Sequence, residues 1–113
     1  MHEMAYADEI RQLVDQNRQG KKIVAVTVQT GKLAGIVPEA LSFCLETTLQ
    51  EAFGEQVVVT LNCVDGEALC ACGTSFKVSE PFQACPNCQG YRKTITSGKD
   101  VFLKSFEIED EDE

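Results

Sequence analysis

Four cysteines crowd into the segment "CACGTSFKVSEPFQACPNCQG", which spans residues 70–90. They form two close pairs, Cys70 with Cys72 and Cys85 with Cys88. Two such pairs on two turns can place four thiolates around one metal ion, with zinc–sulfur distances of about 2.3 Å. We therefore predict a four-cysteine zinc site. Iron in the same ligands, and disulfides or free thiols, are the alternatives.

The two pairs differ in regularity. Cys85-Pro-Asn-Cys88-Gln-Gly90 has the knuckle pattern, in which proline and a nearby glycine set a tight turn that points backbone amides at the sulfurs. Cys70-Ala-Cys72 has one intervening residue where such turns usually have two. Either this turn holds its two sulfurs closer together than usual, or another residue replaces one of the two thiolates. Cys63 is the other cysteine nearby in sequence.

The segment around these cysteines has no hydrophobic periodicity. Between residues 66 and 92 no apolar stripe is long enough to make a core, so we expect zinc to offset the ordering entropy of this segment. Four thiolates leave no open position for water on the metal, which predicts a structural rather than a catalytic site. With one histidine in the chain and no open metal position, the sequence predicts that the protein is not an enzyme.

The rest of the chain has regular patterns. Apolar residues follow helical spacing from Met4 to Val14 and again behind Pro38 as far as Phe53, which predicts two helices. Alternation predicts strands in "KKIVAVTVQT", "QVVVTLNCV" and "DVFLKSFEI". Cys44 lies on the second helical stripe and Cys63 on the second strand, and both are expected to pack as small hydrophobes.

These elements predict an α+β fold. Two helices would pack on a three-stranded, mostly antiparallel sheet, with a zinc-ribbon-like four-cysteine module inserted between the second and third strands. The predicted domains are residues 1–65 with 93–113 for the α+β unit, and residues 66–92 for the insert.

The charge balance restricts the partners. The chain carries 18 Asp and Glu against 10 Lys and Arg, a formal net charge of -8, which is opposite to what nucleic acids attract. No apolar run approaches the ~20 residues of a membrane span, and acidic residues replace the pattern of a secretory signal near the start. We expect a cytoplasmic protein that binds neither nucleic acid nor membrane, in a compartment where cysteines stay reduced.

The sequence opens "MHEM", and His2 is its one histidine. If Met1 is the mature terminus, its α-amine and the imidazole of His2 are two nitrogen donors. The helical ladder does not use the first N–H groups of a helix, so the amides of His2 and Glu3 can supply two more. Such an all-nitrogen, roughly square-planar set suits Ni(II) or Cu(II). Alone, however, a histidine at position 2 is more simply explained by chance.

These features together resemble one protein family. The stretches "MHEMAYADEI", "GKLAGIVPEALSFCLE", and "CPNC" followed by "VFLKSFEIE" are similar to the HypA/HybF family of hydrogenase nickel-incorporation proteins, in the same order and over nearly the whole chain. The resemblance implies a cytoplasmic metallochaperone that delivers Ni²⁺ as transient cargo to the large-subunit precursor of [NiFe]-hydrogenase. It also implies a HypB-type GTPase as partner. A homodimer is left open.

The resemblance assigns roles to particular residues. The nickel site would be Met1, His2 and Glu3, with His2 the essential side chain. The structural zinc would use Cys70, Cys72, Cys85 and Cys88. The sequence departs from the family pattern at Cys70-Ala-Cys72, which affects the geometry expected for the first turn. Two rival functions remain: a zinc-ribbon adaptor for protein–protein contacts without nickel traffic, and a rubredoxin-like electron carrier with iron in the four-cysteine site.

Overall fold

The computed structural model describes residues 3–109. Within this range the elements follow the order α1 (Glu3–Asn17), β1 (Ile23–Gly31), α2 (Pro38–Phe53), β2 (Val58–Val64), β3 (Gly66–Cys70), β4 (Ser75–Val78), β5 (Lys93–Ser97) and β6 (Val101–Ile108). The α+β fold class and the two helices are confirmed. No helix in the described range is long and apolar enough to cross a membrane.

The first sheet has the strand order β2-β1-β6. Strand β1 pairs parallel with β2 and antiparallel with β6, so the expectation of a mostly antiparallel sheet is corrected to a mixed one. The reason is the connection: α2 lies between β1 and β2 in the chain, and a helical crossover returns the second strand in the same direction as the first.

One hydrophobic core holds the helices against this sheet. Its buried members are Ala7, Ile10, Val14, Ile23, Val26, Val28, Leu41, Leu45, Leu49 and Val57. Cys44 packs against this core, as predicted, and is half-buried. Cys63 is exposed, so its expected packing as a core thiol is wrong. Val57, just before β2, is 2% exposed, but burial decreases along β2 towards Cys63. The reason is that β2 is an edge strand and Cys63 lies near its end.

The cysteine segment forms a second three-stranded sheet, of order β4-β3-β5, with both pairs antiparallel. The sequence did not predict this sheet. Strand β5 pairs with β3, so residues 93–97, which were predicted to belong to the α+β unit, share a sheet with the insert. The buried hydrophobic residues between 66 and 97 are few: Ala68, Cys70, Val78 and Cys85.

The chain passes between the two sheets at a close contact of three glycines, Gly31, Gly66 and Gly98, which we call the glycine joint. A side-chain carbon at Gly31 would clash with the backbone of Gly98, and one at Gly98 with the backbone of Gly66. Gly98 also has a φ of 92°, a conformation that favours glycine. The two sheets are therefore joined by closely packed backbone.

Hydrogen bonds from the loop after β1 reinforce the joint. The Lys32 N–H donates to the Val64 carbonyl at 2.8 Å, and the Leu33 N–H donates to the Gly98 carbonyl at 3.0 Å. The Lys32 ammonium also lies 2.8 Å from the Asp65 carboxylate. The loop after β1 thus contacts both segments that connect the two sheets, the one between β2 and β3 and the one between β5 and β6.

Candidate metal centre

The four predicted cysteines come together at one end of the second sheet. Cys70 ends β3, Cys72 lies in the turn before β4, and Cys85 and Cys88 lie in the loop between β4 and β5. Their four sulfurs all lie within 4.8 Å of one another. Cys70 and Cys85 are buried, whereas Cys72 and Cys88 are exposed, so the cluster opens to solvent on one side.

The sulfur spacing matches tetrahedral coordination. A tetrahedron with metal–sulfur distances of about 2.3 Å has sulfur–sulfur edges of about 3.8 Å. The Sγ atoms of Cys70 and Cys88 are 3.6 Å apart, and those of Cys72 and Cys85 are 3.8 Å apart. A disulfide would bring two sulfurs to about 2.05 Å, and all six cysteines are free. The donor set therefore suits a thiolate-preferring metal ion.

The second turn has the knuckle form that its sequence predicts. The Asn87 N–H donates to Sγ of Cys85 at 3.4 Å, and the Gly90 N–H donates to Sγ of Cys88 at 3.4 Å. The turn is closed by backbone hydrogen bonds from Gln89 to Cys85 and from Cys85 to Gly90. A side-chain carbon at Gly90 would lie 3.3 Å from Sγ of Cys88, so glycine leaves room for the sulfur.

The first turn, with one residue between its cysteines, is closed by backbone hydrogen bonds different from those of the second turn. The Cys70 N–H donates to the Thr74 carbonyl at 2.8 Å, and the Gly73 N–H donates to the Cys70 carbonyl at 2.9 Å. Gly73 has a φ of 97°, which lets the chain reverse directly after Cys72. Both sulfurs of the tighter pair reach the cluster, and Cys63 is not among the clustered cysteines.

Two polar side chains at the site were missed in the sequence. The Thr74 hydroxyl lies 3.3 Å from Sγ of Cys72, and the Asn87 side-chain amide donates to the same sulfur at 3.7 Å. The side chain and the backbone of Thr74, followed by the amide of Asn87, lower the pKa of Cys72 to about 6. A polar residue two positions after a ligand cysteine, present in both turns, is the signal that could have indicated them.

The pKa values of Cys70 and Cys85 are shifted in opposite directions. The Cys72 backbone N–H favours the thiolate of Cys70, but burial and the neighbouring sulfurs outweigh it and raise the pKa of Cys70 to about 11. Backbone N–H groups, first that of Cys88, lower the pKa of Cys85. Four thiolates this close repel one another, and a bound divalent cation would remove that repulsion and deprotonate all four.

The predicted nickel-site residues lie at the other end of the chain. Met1 and His2 fall outside the described residues. Glu3 begins α1 and is half-buried, and its Oε2 atom accepts a hydrogen bond from the Val37 N–H at 3.0 Å. The structure therefore gives the carboxylate of Glu3 a partner at the start of α2.

By fold and site, the chain belongs to the class of small α+β proteins with a four-cysteine cluster that could hold a metal ion. The family model described as hydrogenase/urease nickel incorporation, metallochaperone, HypA, matches residues 1–108. The chain belongs to this family, and is thus a non-enzymatic nickel-incorporation metallochaperone of hydrogenase maturation.

Individual relatives agree with this assignment. The hydrogenase maturation factor HypA of Pelodictyon phaeoclathratiforme is 37% identical over 117 residues, covering 100% of both chains. That of Geobacter metallireducens is 32% identical over 110 residues, covering 96% of this chain and 100% of the relative. The solution structure of the Ni metallochaperone HypA from Helicobacter pylori has a TM-score of 0.66 at 23% identity, covering 96% of this chain and 97% of that chain. It shares the fold.

Proposed function

We propose that this protein binds Ni²⁺ at Met1, His2 and Glu3 and delivers it to the large subunit of [NiFe]-hydrogenase during maturation. The observation that carries the proposal is the match of the nickel-incorporation family model from residue 1, which includes the Met-His-Glu start. The α-amine, the imidazole of His2 and the amides of residues 2 and 3 are the proposed donors. Four nitrogens in a plane suit Ni(II).

The beginning of α1 supports this donor set. The helix starts at Glu3, and the helical ladder makes no use of its first N–H groups. Deprotonation of these amides by a metal ion therefore breaks no bond of the ladder. Protonation of the donor nitrogens, or competing thiolates in the recipient protein, would release the ion.

We propose zinc as the resident metal of Cys70, Cys72, Cys85 and Cys88, in a structural role. The sulfur spacing and the N–H groups directed at Cys85 and Cys88 support a closed tetrahedral site. When bound, zinc would supply the free energy that orders the second sheet. The chain's own residues then have the task of holding four sulfurs in place and stabilising their charge through Thr74 and Asn87.

Delivery would take place in the cytoplasm, with a HypB-type GTPase and the large-subunit precursor as partners, and a homodimer is compatible with these roles. The net charge of -8 favours partners with basic surfaces. The zinc-ribbon adaptor without nickel traffic is the rival function, and it predicts that the N-terminus is irrelevant to metal binding.

A nickel titration separates the two functions. The zinc-loaded protein with its native terminus, a His2→Ala variant, and a form with one extra residue ahead of Met1 are each titrated with Ni²⁺ and followed by calorimetry. We expect tight binding only to the first, because the other two lose the imidazole or the geometry of the amine. Equal binding by all three forms would exclude the N-terminal site. Glu9→Gln, an exposed charge change on α1, is the control.

The iron-containing rival has its own test. Ferric thiolate sites are red, whereas zinc thiolate sites are colourless, because Zn²⁺ has a filled d shell. Protein purified without added metal should therefore be colourless and contain one zinc per chain by elemental analysis. A red protein with stoichiometric iron would instead support electron transfer.

A further inference from the structure

The hydrogen bond between Glu3 and Val37 joins two helix starts that are far apart in sequence. Glu3 is the first residue of α1, and Val37 is the N-cap residue of α2. The carboxylate Oε2 of Glu3 accepts the Val37 N–H at 3.0 Å. The bond spans 34 residues of sequence and involves Glu3, a residue of the proposed nickel site.

Helix α2 has no cap of its own at this end. Val37 has a β-region backbone, with φ -94° and ψ 115°, and makes no side-chain capping hydrogen bond. In a capping box the residue three positions after the N-cap, usually Glu or Gln, accepts the N–H of the N-cap residue. Here that position is Ala40, which has no acceptor. Glu3 supplies the missing carboxylate from the other helix.

The charge of Glu3 is also favourably placed. A carboxylate at the start of a helix interacts with the partial positive charge of its first N–H groups. The first turn of α2 already contains Glu39, and Pro38 has no N–H to offer. Glu3 thus holds the start of α1 against the start of α2 through a charge-assisted hydrogen bond.

We propose that the Glu3 side chain is a positioning residue for the N-terminal nickel site and not a nickel ligand. This inference rests on the proposed function. The amine, the imidazole and two amides already complete a four-nitrogen planar set, so the carboxylate is not needed as a donor. Its contact with Val37 fixes residue 3, and with it the second amide of the chelate, against the body of the protein.

The inference predicts that an amide at position 3 replaces the carboxylate. The oxygen of Gln accepts the Val37 N–H at the same reach, whereas Ala removes the acceptor. A Val37→Pro variant removes the donor instead, at a position whose φ of -94° must shift by about 30° to that of proline and whose ψ of 115° is allowed before Pro38. Glu9→Gln controls for the loss of one charge on α1.

Two measurements on the zinc-loaded full chain test the inference. The first is hydrogen exchange at the Val37 amide without nickel, and the second is nickel titration with the visible absorption spectrum recorded. We expect Glu3→Ala to lose Val37 protection and to weaken nickel binding by about 10-fold, the size of a lost helix cap. Glu3→Gln should stay within about threefold of the wild type. Val37→Pro should weaken binding as Glu3→Ala does. All spectra should coincide, because the donors are unchanged.

The possible failures are distinguishable. Equal weakening by Glu3→Gln and Glu3→Ala, with a shifted absorption band, would make the carboxylate a ligand and overturn the inference. Unchanged hydrogen exchange at the Val37 amide in Glu3→Ala would also overturn the inference, since the Glu3 side chain would then not stabilise the start of α2. Equal nickel binding by the wild type and His2→Ala would instead remove the N-terminal site, and with it both the proposed function and this inference.

Discussion

Gly31 and Gly98 pack backbone against backbone, with no room for a side-chain carbon between them. We expect Gly98→Ala to lower the free energy of unfolding by about 2–4 kcal/mol, because a methyl group would displace the Gly66 backbone and strain a positive φ. Urea unfolding of the zinc-loaded protein measures the change. Gly35→Ala is the matched control: its φ of 76° is also positive, but the added carbon meets nothing within 4 Å, so the expected loss is about 1 kcal/mol. Equal losses would contradict a packed joint.

Zinc removal should unfold the second sheet and spare the first. Two of the four buried hydrophobic residues between 66 and 97 are the cluster cysteines Cys70 and Cys85, whereas the first sheet has a core without metal ligands. After chelation, or in Cys85→Ala, amides of β3 and β5 should lose protection from hydrogen exchange while β1 stays protected. Zinc binding is worth on the order of 10 kcal/mol in small zinc-dependent folds.

Cys44→Ala is the control for this experiment, because it truncates a half-buried thiol outside the cluster. It should lower global stability slightly and leave zinc stoichiometry intact. Loss of protection across β1 upon chelation would show that the two sheets unfold as one unit.

Asn87 should contribute to metal affinity although it is not a ligand. Its side-chain amide lies 3.7 Å from Sγ of Cys72 and its backbone N–H donates to Cys85; alanine retains the second contact and loses the first. We expect Asn87→Ala to weaken zinc binding by about 10-fold, measured by competition with a chromophoric chelator. Asn62→Ala, on β2, should leave the affinity unchanged.

Cys63 should be the first thiol to react with an alkylating reagent in the zinc-loaded protein. It is exposed, whereas Cys44 is half-buried and the cluster cysteines would be held by the metal. Mass spectrometry after brief iodoacetamide treatment should show one adduct, at Cys63, and Cys63→Ser should show none. Rapid modification of Cys72 in that protein would argue against its ligation.

The Lys32–Asp65 ion pair predicts a pH effect at the joint. The hydrogen bond from Lys32, and then its charge, lower the pKa of Asp65. Because the folded-state pKa is below the unfolded-state value, the stabilisation is present above the unfolded-state pKa and is lost as the pH falls through the folded-state one. Carbon-detected NMR titration should show the lowered pKa, and Lys32→Met should return it towards its usual range.

Most of the first sheet and its helices were predictable because their side chains are large and periodic. Pro38 and Gly54 bracket α2 in the sequence, and the helix runs from Pro38 to Phe53. The prediction of a mostly antiparallel sheet missed the parallel pair of β1 and β2, because alternation within one strand does not specify its partner. Alternation is also broken at the start of β1: Ile23 is buried and Val24 is not, and a register shift between Ile23 and Ala25 interrupts the pairing with β6 there.

The second sheet was missed because its inward-facing residues are small. Along β3 the buried positions are Gly66, Ala68 and Cys70, which give no hydrophobic alternation to detect. The fold nevertheless brings the four predicted cysteines together, since ligand spacing is a local property of two turns. The contact between Glu3 and Val37 depends on how two helices pack, and no local pattern indicates it.

The pairing of Glu67 with Ser97 places the two ends of the inserted segment side by side. Strand β6 completes the first sheet by pairing with β1. The segment that leads to β6 has its two ends paired already, through β3 and β5. An unordered connection of the same length would have to lose more loop-closure entropy before β6 could pair. During synthesis α1 emerges before β6, so the sheet against which α1 packs is completed after it. Metal loading of the insert should thus accelerate the final folding step of the distant sheet.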